Sequence, residues 1–60
     1  MIKHRFLTVK EVAQILQLNV LTVYVYIRNN LLEAFKFGRY YRVDEKDLEQ
    51  FIQIHKTKKL

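Results

Sequence analysis

Apolar positions along this chain follow a helical spacing, then a strand-like one, then a helical one again. Val12, Ile15 and Leu16, with Ala13 between them, trace one face of a helix about two turns long. Just upstream, Thr8-Val9-Lys10-Glu11 has the spacing of a capping box, in which Thr8 accepts the Glu11 amide hydrogen and Glu11 reaches back to the Thr8 amide. Phe6 or Leu7 stands where a hydrophobic staple would pack. A first helix over 9–16 is expected, with 1–6 as a lead-in. Gln17-Leu18-Asn19 interrupts the stripe, and Asn19 can cap a second helix. That helix, expected over 20–29, carries Val20, Val23, Tyr24 and Ile27 inward and Leu21, Thr22, Val25, Arg28 and Asn29 outward. Its β-branched residues are dense, but strict alternation does not fit them. Asn29-Asn30 offers residues that tolerate the left-handed conformation at its end.

The period then shortens. Phe35, Phe37, Tyr41 and Val43 point one way if a hairpin over 34–43 turns through Gly38-Arg39-Tyr40, pairing 37 with 41 and 35 with 43. Lys36 and Arg42 then face each other on the solvent side, an arrangement a polyanion would relieve. A two-residue Gly38-Arg39 turn is the chemically sound alternative, pairing 37 with 40 and placing Lys36 beside Tyr41. Segregation of apolar from charged residues favours the longer loop. Asp44 caps a last helix, with Asp47 as a weaker capping-box partner; Leu48, Phe51, Ile52 and His55 share its face over about 45–55. The layout, 8–29 helix-turn-helix, 34–43 hairpin, 44–56 terminal helix and 57–60 basic tail, is that of a small α+β domain in the order helix, helix, β-hairpin, helix.

Composition narrows the function. Sixty residues allow one domain, half of them are hydrophobic, and no cysteine is present to make a disulfide or thiolate site. The two histidines, His4 and His55, cannot form a four-ligand metal site alone. No metal or cofactor is expected. No apolar run reaches the roughly 20 residues of a membrane span, and the chain reads as cytoplasmic with no membrane partner. Eleven Lys and Arg against six Asp and Glu give a net charge of +5, which favours a polyanionic partner. Arg28, Lys36, Arg39 and Arg42 leave the middle of the chain positive, while Glu11, Asp44, Glu45 and Asp47 gather at helix starts, where free amides favour acids. No nucleophile with a base, evident carboxylate pair or phosphate loop points to catalysis.

Two short helices joined by a tight turn can brace one of them in the major groove of DNA. Asn19, Leu21, Thr22 and Val25 are then the candidate base contacts, with the Thr22 methyl and Leu21 or Val25 suited to thymine methyls. Arg28 suits a phosphate. Arg39 at the hairpin tip is placed for minor-groove or backbone contact, Lys36 and Arg42 for phosphates, and Tyr40 for stacking or a phosphate, unless it is simply half-buried at the hairpin end. The apolar outer residues Leu21, Val25 and Tyr26 also fit a protein interface.

With these residues laid out, the stretch from Leu7 to Leu16, then Thr22-Val23-Tyr24, Ile27-Arg28, Lys36-Phe37-Gly38-Arg39, Tyr41-Arg42-Val43 and Asp47-Leu48, resembles the excisionase-type helix-turn-helix family, related to the winged DNA-binding domain of the MerR regulators. The resemblance implies a winged helix-turn-helix fold and double-stranded DNA as partner. Thr22, Tyr24 and Arg28 would contact DNA from the recognition helix, and Lys36, Arg39 and Arg42 from the wing. Members include recombination directionality factors of phages and integrative elements, which bend DNA, self-associate on adjacent sites and assist an integrase in excision. Others are small transcriptional regulators. The chain departs from the family at Val25, where a polar or basic residue is usual, at Asn30-Leu31, which lacks a Gly, and at Glu33, which replaces a Pro.

Overall fold

The computed structural model describes residues 2–57. The order is β1 (Phe6–Thr8), α1 (Val9–Leu16), α2 (Val20–Arg28), β2 (Phe35–Phe37), β3 (Tyr40–Asp44) and α3 (Glu45–Ile54). The strands form one antiparallel sheet in the order β1-β3-β2. Its inner face lies on the helices around a core of Val9, Val12, Ala13, Val23, Ile27, Leu32, Val43, Leu48 and Phe51.

Local chemistry accounts for the helix ends. The Thr8–Glu11 capping box is formed in both directions, at 2.8 and 3.0 Å. Asn19 Oδ1 accepts the Leu21 amide hydrogen at 2.8 Å. Asp44 accepts that of Lys46 at 3.0 Å. The Asp47 arm expected at this last cap does not form among the described residues; one residue on, the Glu45 amide donates to the Arg5 carbonyl. Both α1 and α2 end in a left-handed residue, Gln17 (φ 57°) and Asn30 (φ 59°). The Leu18 and Leu31 amides donate back five residues to Ala13 and Tyr26, as in a Schellman motif. Asn30 thus replaces the family's usual Gly. At the end of α3, Nδ1–H of His55 donates to the Phe51 carbonyl at 2.8 Å, which makes His55 the boundary residue expected of it.

Three expectations are corrected. First, Phe6 is not lead-in: Phe6, Leu7 and Thr8 form a strand opposite Asp44, Val43 and Arg42. Second, the hairpin takes the two-residue turn. Phe37 pairs with Tyr40, Lys36 with Tyr41 and Phe35 with Arg42. Gly38 has a φ of +64°, while Arg39 does not enter the left-handed region, as a type II′ turn requires. The core asks only Tyr41 and Val43 of the hairpin, because Leu7 and Leu32 fill the rest, so Phe35 and Phe37 lie on the outer face. Third, Tyr24 and Tyr26 differ from their expected sides. At about 100° per residue each lies about 80° from the line of Val23 and Ile27, so the neighbours decide. Tyr26 leans in against Phe51 of α3 at 5.6 Å. Tyr24 is more than a third exposed and meets Tyr41 edge-on at 6.1 Å. Lys58 and Lys59 of the expected basic tail lie outside the described residues.

Candidate nucleic-acid interface

Val23 and Ile27 anchor α2 in the core, which turns Leu21, Val25 and Arg28 to solvent on the opposite side, with Thr22 half-buried beside them. Leu21 is 71 % exposed, the most open side chain of the helix's apolar set. Asn19 stands at the helix entrance with Oδ1 spent on the cap, leaving its amide NH₂ free to donate. With Tyr26 turned inward, the apolar outer group shrinks to Leu21 and Val25. This front is suited to methyl groups more than to charges.

Cations enter from the side. Lys36 shares the inner face of the hairpin with Tyr41, its ammonium 5.8 Å from that ring's centroid. Tyr41 in turn meets Tyr24 of α2. Lys36, Tyr41 and Tyr24 therefore run as a continuous bridge from the hairpin to α2, and Arg28 is exposed on the last turn of that helix. Arg39 is exposed at the turn.

Arg42 is not with them. The two-residue turn puts it opposite Phe35 and Thr8, so Lys36 and Arg42 leave the sheet on opposite faces, and the expected shared solvent face is overturned. The Arg42 guanidinium lies 5.6 Å from the Tyr40 ring and donates to the Tyr41 carbonyl at 2.8 Å. Tyr40, also expected on the DNA side, is exposed on this outer face. Among the described residues, none of Arg28, Lys36, Arg39 and Arg42 is paired with a carboxylate; the ion pairs are His4–Asp44 and Arg5–Glu45. The acids are engaged elsewhere. The Thr8 amide and hydroxyl hold the Glu11 carboxyl below its ordinary range. His4, followed by the Lys46 amide, does the same for Asp44.

The outer face also held a group of residues missed in the sequence. His4, Phe6, Phe35 and Phe37 form a cluster with ring centroids 5.5 to 6.1 Å apart. The available signal was the Phe-Lys-Phe alternation combined with a Gly-Arg turn, which sends both Phe side chains outward once the short turn is chosen.

The helix pair and its turn agree with the comparisons with known proteins. A helix-turn-helix domain family model matches residues 6–55. An uncharacterized protein of Bacillus subtilis (strain 168), YvgK, is 48 % identical over 44 residues, 73 % of this chain. The match spans only 14 % of that relative's length. No solved structure matches the chain. With its match running from β1 through the end of α3, the chain belongs to the helix-turn-helix domain family, which includes the excisionase-type domains.

Proposed function

We infer that this domain binds duplex DNA with α2 in the major groove and the Gly38-Arg39 turn as a wing on the neighbouring backbone or minor groove. The observation that carries the reading is the open face of α2, flanked by Arg28 and by the Lys36–Tyr41–Tyr24 bridge, with no carboxylate on these cations among the described residues. Base discrimination rests on Thr22 and on methyl contacts from Leu21 and Val25. Phosphates fall to Arg28, Lys36 and Arg39, with the Tyr24 hydroxyl at the rim. The excisionase-type role is the fuller form of this reading: a factor that bends DNA, binds adjacent sites side by side and assists an integrase in the cytoplasm. A second form is a small transcriptional regulator, which needs the same DNA face without a bend or an integrase.

A mobility shift on DNA from the gene's own neighbourhood tests the binding. Arg39→Ala is expected to weaken it and to lower the log–log salt slope by about 0.9, one phosphate's worth. Unchanged affinity at low salt would remove the wing from the interface. Stepwise cooperative bands together with a bend, read by circular permutation of the site, support the excisionase form. A single unbent complex supports the regulator.

A further inference from the structure

An antiparallel sheet with one face on the core ordinarily turns polar side chains to water. This one turns out three phenylalanines and a tyrosine. Phe6 and Phe35 are about 40 % exposed, Phe37 52 % and Tyr40 60 %. All of β2 is exposed, so these rings do little for the fold. An exposed apolar group of this kind marks a surface that meets something.

The charges on the same face identify its occupant. Phe37 and Tyr40, the two most open rings, are directly opposed across β2 and β3 beside the turn that carries Arg39. Arg42 lies over the Tyr40 ring and forms no direct salt bridge among the described residues, with the Glu11 carboxylate, held on Thr8, acting on it only at longer range. Asp44, the acid on this face at the far end of β3, is closed off by His4 and the Lys46 amide. A second copy of the chain docking through this face about a two-fold axis would bring its own Arg42 against the first, two like charges losing water together. An apolar protein surface would strip Arg42 of water and return nothing. A nucleotide strand returns both things required: flat bases for the rings and phosphates for Arg42 and Arg39.

We propose that the outer face of the sheet, centred on Phe37, Tyr40 and Arg42, binds unpaired bases of a single nucleic-acid strand. The surface lies on the opposite side of the wing from Lys36 and α2. It is therefore separate from the duplex face, with Arg39 at the border of both. A duplex hides its bases' flat faces within the stack, whereas an unpaired strand presents them.

Fluorescence anisotropy of the full chain with labelled oligo-dT and oligo-rU of about 10 nucleotides tests this, with a hairpin duplex measured in parallel. Wild type binds the single strands, and the tighter of the two names the sugar. Phe37→Ala and Tyr40→Ala each weaken this binding roughly tenfold, about what one stacked base contributes. Both leave duplex affinity in place, which also shows that the variants are folded. Lys36→Ala does the reverse. Three results overturn the proposal: no single-strand binding by wild type, single-strand binding lost with Lys36→Ala but kept with Phe37→Ala, or a sedimenting dimer that Phe37→Ala dissolves. The last result would give the face to a second copy.

Discussion

The helix pair and the hairpin use their residues in opposite ways. In α1, α2 and their turns, the buried and capping positions have internal tasks. Val12 and Val23 are sealed in the core, Thr8, Glu11 and Asn19 close helix ends, and Gln17 and Asn30 bend the chain out of them. Left over are Lys10, Gln14 and Ile15 of α1 and the strip from Leu21 to Arg28 of α2. In the hairpin, the core needs Tyr41 and Val43, Asp44 caps α3, and β2 with Tyr40 is exposed. The helical half is a scaffold with an open strip on α2, whereas the hairpin is mostly open surface held by a turn. Such a division puts stability and recognition on different residues, and substitutions separate the two.

The largest separation is expected between Leu32→Ala and Phe37→Ala. Leu32 is 1 % exposed and plugs the core beneath the loop between α2 and β2. Its truncation should cost about 3 kcal/mol, a large share of the stability available to a domain of this size. Phe37 is 52 % exposed and meets the exposed rings of Phe6 and Phe35, so its loss should cost less than about 1 kcal/mol. Urea unfolding measures both. Comparable losses would mean that the aromatic cluster is a second core, and the contrast between the halves would fail.

The same division explains what could be read from the sequence. The helices were legible because their caps and apolar stripes are local: Thr8 with Glu11, Asn19 before Val20, and Asp44 before Glu45 each state a boundary within a few residues. The sheet was not, because its assignments depend on distant partners. Phe6-Leu7-Thr8 is a strand only by virtue of Val43 and its neighbours across the sheet. Phe35 and Phe37 looked like core residues until Leu7 and Leu32 took that space. Tyr24 and Tyr26 flank the buried line of α2 equally, and α3, through Phe51, chose between them. Of the candidate site, the α2 strip and Arg39 were visible in advance. The split of Lys36 from Arg42 was not, since it turns on a one-residue difference in loop length.

Gln17→Gly sharpens the comparison from the other side. The helical half holds the Gln17 backbone at φ 57° for the sake of a tight turn into α2. Glycine takes that conformation without the Cβ penalty, so the substitution should stabilise the domain by up to about 1 kcal/mol. A matching change in the hairpin is already present, since Gly38 occupies φ +64° and an added Cβ there would meet open space but a strained backbone. Gly38→Ala should therefore destabilise the hairpin and weaken duplex binding while the helices persist, read as melting by circular dichroism beside a mobility shift. A loss of the helical signal along with the hairpin would show that the two regions fold as one unit.

Acid provides the smallest and most graded contrast, because each half contains one carboxyl held below its ordinary range. In the helical half it is Glu11, through Thr8; in the sheet half it is Asp44, through His4 and then the Lys46 amide. A carboxyl whose folded pKa is depressed favours the folded state above its unfolded pKa, and that contribution is lost as pH falls through the folded value. The melting temperature should therefore decline between about pH 5 and about pH 2. Thr8→Ala removes the hydroxyl's part of the helical contribution and keeps the Thr8 amide's, while His4→Ala removes the larger part of the sheet contribution, so each variant should start less stable at neutral pH and lose less on acidification, His4→Ala the more so. If Thr8→Ala flattened the whole decline and His4→Ala none of it, the His4–Asp44 contact would add nothing in solution, and the sheet half would owe its order to the turn and the ladder alone.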